Sequence, residues 1–133
     1  MTILIIGGSG RIGSSFVRHI EAKGEEIINI DIHRLKKLDN INNYHFIAGS
    51  ISDNLIIDKI VAQVKSNNTK KVSGIFFFAR RRISQNEKLS STTEEINESF
   101  RLLMATTSLI DQLISESLLS DASIVHISST NAF

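Results

Sequence analysis

The chain has 133 residues, enough for one domain with one core and little room for a second. Its 15 lysines and arginines against 14 acidic side chains leave a net charge of +1, so no electrostatic argument favours nucleic acid or an anionic membrane, and a small molecule or another copy of the chain remains as the partner to expect. The absence of cysteine excludes disulfides, thiolate metal sites and a cysteine nucleophile together.

Residues Ile3 to Ile6 form a short, continuous, β-branched run bounded by glycine, the pattern of a strand buried on both faces. Because glycines interrupt that run, it does not read as a signal peptide, and no later run nears the roughly 20 apolar residues a membrane span needs. A soluble, cytoplasmic protein is expected. From Arg11 to about Lys23, Ile12, Phe16, Val17 and Ile20 recur at helical spacing, and Gly24 stands where that helix would end. Ile27, Ile28, Ile30 and Ile32 surround Asp31 in a second strand, and Tyr44 to Ala48 make a third. The connection between them, Arg34 to Asn43, barely provides the dozen or so residues that a parallel crossover needs.

Helical spacing returns from Asp53 to Lys65, and Gly74 to Ala79 make a fourth buried strand. After a polar segment from Arg80 to Thr93, an amphipathic helix is expected from about Glu94 to Leu118, with Thr92 and Glu95 as its capping box and Ile96, Phe100, Leu103, Thr107, Ile110 and Ile114 as its buried stripe. Ser123 to Ile127 close the series as a fifth strand. Apolar strands alternating with amphipathic helices predict a three-layer α/β fold with a parallel sheet.

In such a sheet, ligands bind beyond the carboxyl ends of the strands, where the strand order reverses. The stretch IGGSGRIG lies at the end of the first strand. Gly7 suits a tight turn, Gly10 leaves no side chain between backbone and a pyrophosphate, and Gly13 lets the helix approach closely. The amides around Ser9, Arg11 and Ile12 then open the helix toward the phosphates. Asp31, eighteen residues after Gly13, stands where a dinucleotide fold places the carboxylate that accepts from the adenosine ribose hydroxyls. An acid there repels a 2′-phosphate and favours NAD over NADP. Arg11 and Arg34 pull the other way, since either could reach that phosphate, or lie as solvated surface residues. A P-loop is disfavoured, because no lysine follows the glycines.

These residues, with the rest of the chain, resemble the short-chain dehydrogenase/reductase family. The G-x-x-G-x-x-G spacing is similar to the turn of its extended and atypical branches. The resemblance implies a Rossmann-like, doubly wound parallel sheet, incomplete at its C-terminal side, over residues 1–133. Ile47 to Asp53 resemble the segment whose acidic residue holds the adenine. That position is Ser50 here, a departure that shifts the adenine contact from the side chain toward the amide of Ile51. Ala79 matches the small-residue turn that covers the cofactor, while Arg80 departs from it. Asn97 resembles the helix asparagine that holds a relay water. Ser123 to Ser129 resemble the family's I-V-x-I-S-S strand, which implies that Ser129 binds the substrate oxygen.

The family's chemistry is hydride transfer between nicotinamide and a carbinol carbon, with a tyrosine as proton donor or acceptor and a lysine four residues on. The single tyrosine here, Tyr44, is followed four positions later by Ala48 and does not match. The resemblance therefore implies that the tyrosine–lysine pair lies beyond Phe133, the chain being the N-terminal, cofactor-binding part of an oxidoreductase for an alcohol, ketone or sugar. Apolar surface left on the long helix would then favour self-association. The other reading is a non-catalytic dinucleotide-binding or sensing module. His19, His33, His45 and His126 have no metal-ligand spacing, and His126 reads as a packed or edge histidine.

Overall fold

The computed structural model describes residues 1–67, 71–78 and 89–127. Ala79, Arg80 and Ser129 lie outside them. Five strands, β1 (Thr2–Ile6), β2 (Glu26–Asp31), β3 (Tyr44–Ala48), β4 (Val72–Phe77) and β5 (Leu119–His126), pair in parallel in the order β3-β2-β1-β4-β5. Among the described residues three α-helices lie between them: α1 (Arg11–Glu21), α2 (Asn54–Ser66) and α3 (Leu89–Ser115). The chain moves outward from β1 to β3, then returns past β1 to β4 and β5. Crossovers of one hand must put their helices on opposite faces when the direction of travel reverses. Accordingly, Val17 and Ile20 of α1 pack with Ile3, Ile5 and Ile27 on one face. On the other, Ile57 and Ile60 of α2 and Leu109 and Leu113 of α3 pack with Leu4, Ile28 and Ile75.

The short link between β2 and β3 is a parallel crossover. A single 3-10 turn at Lys36–Leu38 replaces a helix, and it suffices because Leu38 is fully buried against the α1 face, with Leu35 and Ile41 beside it. The second helix begins one residue later than expected, at Asn54, because the Asp53 carboxylate accepts from the Leu55 amide as its N-cap, 2.9 Å away. Gly24, at φ +74°, follows α1 in the left-handed conformation that stops a helix. β5 starts four residues earlier than its apolar run. Its pairing with β4 jumps from Val72–Leu119 to Gly74–Ser123, and the bulge is taken up at Asp121, φ +46°.

Two expectations for α3 need correction. The helix starts at Leu89, so Thr92 lies within it and cannot be the N-cap, a position that requires non-helical backbone angles. The buried face is also another one: Ala105, Thr106, Leu109 and Leu113 are buried, with Leu102 packed beside them, whereas Ile96, Phe100, Leu103, Thr107 and Ile114 are exposed and Ile110 is half-buried. Small residues at 105 and 106 stand on this buried face, and the Thr106 hydroxyl is satisfied by donating to the Leu102 carbonyl, 2.8 Å away. His126 stacks on Phe77 with ring centroids 4.4 Å apart, an edge-strand packing role as expected.

Candidate cofactor-binding site

The site is assembled where the strand order reverses, beyond the carboxyl ends of β1, β2 and β4. The amide of Gly7 still donates to the Ile30 carbonyl of β2, 2.8 Å away, and the Phe78 amide to the Ile6 carbonyl of β1, also 2.8 Å. Past that point the chain must turn sharply into α1. Gly7 does so at φ +86°, a left-handed angle that favours glycine. The first helical hydrogen bond runs from the Ser14 amide to the Gly10 carbonyl at 2.8 Å. The amides of Arg11, Ile12 and Gly13 precede it and head the helix without carbonyl partners in its own ladder. No acidic residue occupies the first turn, and Arg11 is exposed there.

The glycines differ in what they accommodate. A Cβ on Gly13 would meet the Gly7 carbonyl oxygen at 2.5 Å and the Gly8 Cα at 2.8 Å, so this glycine serves packing of helix against turn. A Cβ on Gly10 would meet only the Gly7 carbonyl oxygen, at an ordinary 3.6 Å. The protein itself leaves that side open, as close approach of a pyrophosphate requires. An open Gly10, three leading amides and a positive helix end make a cradle that fits a dinucleotide phosphate.

Asp31, the last residue of β2, is brought to this turn as expected. Its Oδ2 accepts from the Ser9 amide at 2.9 Å, and its Oδ1 accepts from the amides of Ile32 at 2.7 Å and His33 at 3.4 Å. The carboxylate is thereby oriented, with both lone pairs of Oδ1 engaged and one acceptor site left on Oδ2. Arg34 pairs with Asp39, its Nε donating at 3.0 Å, and lies 5.7 Å from the Phe46 ring centroid. That pair is exposed and would open at small cost.

Ser50 and Ile51 follow β3. The Ser50 hydroxyl is within 2.8 Å of that of Ser52, while Ile51 is 2% exposed. A cavity of about 520 Å³ opens beside them, walled by Ile51 and Ile57 on one side and Phe100, Met104 and Ala105 of α3 on the other. Asn97 sits on α3 one turn before Phe100, exposed.

The structure adds two residues that the motif reading passes over. Asn29, on β2, is completely buried and bonds the turn through its side chain, and Gly8 is the residue it holds: a Cβ there would lie 2.4 Å from the Asn29 Oδ1. A polar side chain two residues before Asp31, in an otherwise apolar strand, points to the same face as Asp31 and was the available signal. Tyr44 closes this group from β3, its hydroxyl accepting from Asn29 Nδ2 at 2.8 Å. Burial pushes the Tyr44 phenol above its ordinary value of 10.0. Its stabilising contribution is therefore present below pH 10 and is lost as pH rises through the native value. As the single tyrosine, it should give an absorbance titration that lies above that of free tyrosine; ionisation at the free value, with the fold intact, would contradict its half-buried, hydrogen-bonded placement.

Among the described residues, no helix is long and apolar enough to cross a membrane, and no group of three or more metal-ligating side chains occurs. Residues 3–130 match the model of the NAD dependent epimerase/dehydratase family. A probable dTDP-glucose 4,6-dehydratase from Sinorhizobium fredii is 33% identical over 66 residues, 44% of this chain and 19% of that protein. A short chain dehydrogenase from Leptospira borgpetersenii with bound NAD+ superposes at a TM-score of 0.72, with 21% identity over 96% of this chain and 51% of that one. The dTDP-glucose 4,6-dehydratase of Bacillus anthracis in complex with NAD superposes at 0.63, with 21% identity over 97% of this chain and 37% of that one. The chain thus spans about a fifth of the curated relative and about half or less of these two structures.

Proposed function

The chain belongs to the NAD dependent epimerase/dehydratase family, and on that premise we propose that residues 1–133 are the NAD-binding Rossmann domain of a short-chain dehydrogenase/reductase-type oxidoreductase acting at an alcohol or ketone carbon of a nucleotide sugar. The observation that carries this reading is the open turn at Gly10 with the Asp31 carboxylate fixed beside it through the Ser9 amide. The substrate class rests on the dTDP-glucose 4,6-dehydratase named among the relatives, over the matched 66 residues.

The nicotinamide of bound NAD would supply the hydride acceptor or donor. What these residues supply is its placement. The amides of Arg11, Ile12 and Gly13 take the pyrophosphate oxygens, Asp31 takes the ribose hydroxyls, and the Ile51 amide takes the adenine. By the family resemblance, Ala79 would cover the cofactor, Asn97 would hold a relay water and Ser129 would bind the substrate oxygen. Tyr44 is tied beneath the turn by Asn29, so it is no proton donor to a substrate.

Calorimetric titration tests the reading. NAD+ should bind saturably and at least about tenfold more tightly than NADP+, the discrimination expected of one carboxylate facing a phosphate. Absence of NAD+ binding tighter than about 1 mM would overturn it. Asp31→Ser should narrow the difference, losing NAD+ affinity by about tenfold, as loss of charge-assisted hydrogen bonds implies, and gaining for NADP+.

A further inference from the structure

We propose that the Asn29 carboxamide, held by the Tyr44 hydroxyl, is a positioning residue for the dinucleotide: it fixes the Gly8 amide and directs the Ser9 hydroxyl hydrogen away from the protein toward a phosphate oxygen. The proposal rests on the reading of this turn as the NAD site. Asn29 Oδ1 accepts from the Gly8 amide at 2.9 Å, and Nδ2 donates to Ser9 Oγ at 3.2 Å and to the Tyr44 hydroxyl at 2.8 Å. This pattern admits one orientation of the amide. Gly8 N–H is a donor, so the oxygen must face it, and both hydrogens on Nδ2 are then committed.

The consequence falls on Ser9. An amide NH2 offers no lone pair, so Ser9 Oγ can only accept from Asn29, and its own hydrogen has to point elsewhere. Ser9 stands between buried Gly8 and exposed Gly10, in the segment that the pyrophosphate would approach. Its backbone amide is already spent on Asp31. Two side chains on the same face of β2, Asn29 and Asp31, therefore hold two successive residues of the turn before any ligand arrives.

Tyr44 makes the arrangement rigid. In the β2–β3 register it stands opposite Ile27, not Asn29, and its ring reaches along the strand pair to put the hydroxyl on Nδ2. Without that oxygen, one N–H of a completely buried carboxamide would lack an acceptor, and the amide would rotate or admit water. Preformed donors cost less to order on binding than donors that must be collected. The third strand, remote from the glycine motif in sequence, thereby sets the affinity of the turn.

The test pairs NAD+ calorimetry with amide hydrogen exchange by NMR, at a temperature where far-UV circular dichroism shows each variant folded. Tyr44→Phe removes one hydroxyl and nothing else. It should weaken NAD+ by about two- to tenfold, the range for one neutral hydrogen bond, and speed exchange at Gly8 while leaving Leu4 and Ile5 of β1 unchanged. Asn29→Asp keeps an acceptor for Gly8 but has no donor, so Ser9 would turn its hydrogen inward. Protection at Gly8 should survive and NAD+ affinity should fall by tenfold or more. Unaltered NAD+ affinity and Gly8 exchange in both variants, with melting temperature alone reduced, would show a merely structural role and overturn the proposal. If the native chain itself fails to bind NAD+, the reading of the turn falls first and this proposal with it.

Discussion

Gly10→Ala is expected to leave the fold nearly as stable as before and to weaken NAD+ by about ten- to a hundredfold, whereas Gly13→Ala should damage both. The two positions share a motif and differ in what surrounds them. At Gly10, φ −73° and ψ 175° are angles alanine adopts freely, and the nearest atom to a new Cβ is 3.6 Å away. The remaining cost is that of alanine as a helix N-cap, no more than about 1 kcal/mol. The methyl group instead occupies the space the pyrophosphate needs, and overpacking of about 1–3 kcal/mol translates into the loss of affinity stated.

At Gly13, two effects oppose each other. Alanine is the better helix former by about 1 kcal/mol. Against that, the Cβ would press to 2.5 Å on the Gly7 carbonyl oxygen and 2.8 Å on the Gly8 Cα, backbone atoms that cannot swing aside as a flexible side chain does. The clash should win, with a net loss of about 1–3 kcal/mol by urea unfolding. Because the atoms displaced are those of the turn, NAD+ binding should fall as well. A Gly13→Ala variant more stable than native would show that the turn is softer than its geometry implies. NAD+ binding unaltered in Gly10→Ala would place the phosphates elsewhere.

The parts of the site that the sequence makes legible are those whose cause is local. Gly7, Gly10 and Gly13 sit between a strand pattern and a helix pattern, and Asp31 ends the next strand, so neighbours along the chain define their places. Asn29 and Gly8 escape that reading because their meaning is relational: Gly8 is needed on account of Asn29, and Asn29 is oriented by Tyr44, fifteen positions on. The short link from β2 to β3 is hard to read for a similar reason. Counting residues underestimates a crossover that a single buried leucine, Leu38, anchors to the core without a helix.

The long helix shows the limit most plainly, and it sets the second large effect: Leu109→Ala should cost about 2–5 kcal/mol, and Leu103→Ala less than about 0.5 kcal/mol. The helix carries apolar residues in adjacent pairs, Leu102 and Leu103, Leu109 and Ile110, Leu113 and Ile114. Either member of each pair completes a stripe at helical spacing, and the two stripes are rotated by about 100°. Periodicity cannot choose between them. The structure turns Leu109 and Leu113 inward at 0% exposure and leaves Leu103 at 56% and Ile114 at 58%. The small Ala105 and Thr106 lie with the inward stripe, whereas the bulky Phe100 and Met104 lie on the exposed side. Deleting Leu109 therefore opens a cavity between α3 and the sheet, a large fraction of the roughly 5–15 kcal/mol that holds such a domain together. Urea unfolding of the two variants at dilute protein concentration would reveal the phase of the helix. Equal losses at both positions would mean that the outward stripe is covered in solution as well, and a larger loss at Leu103 would reverse the assignment of the two faces.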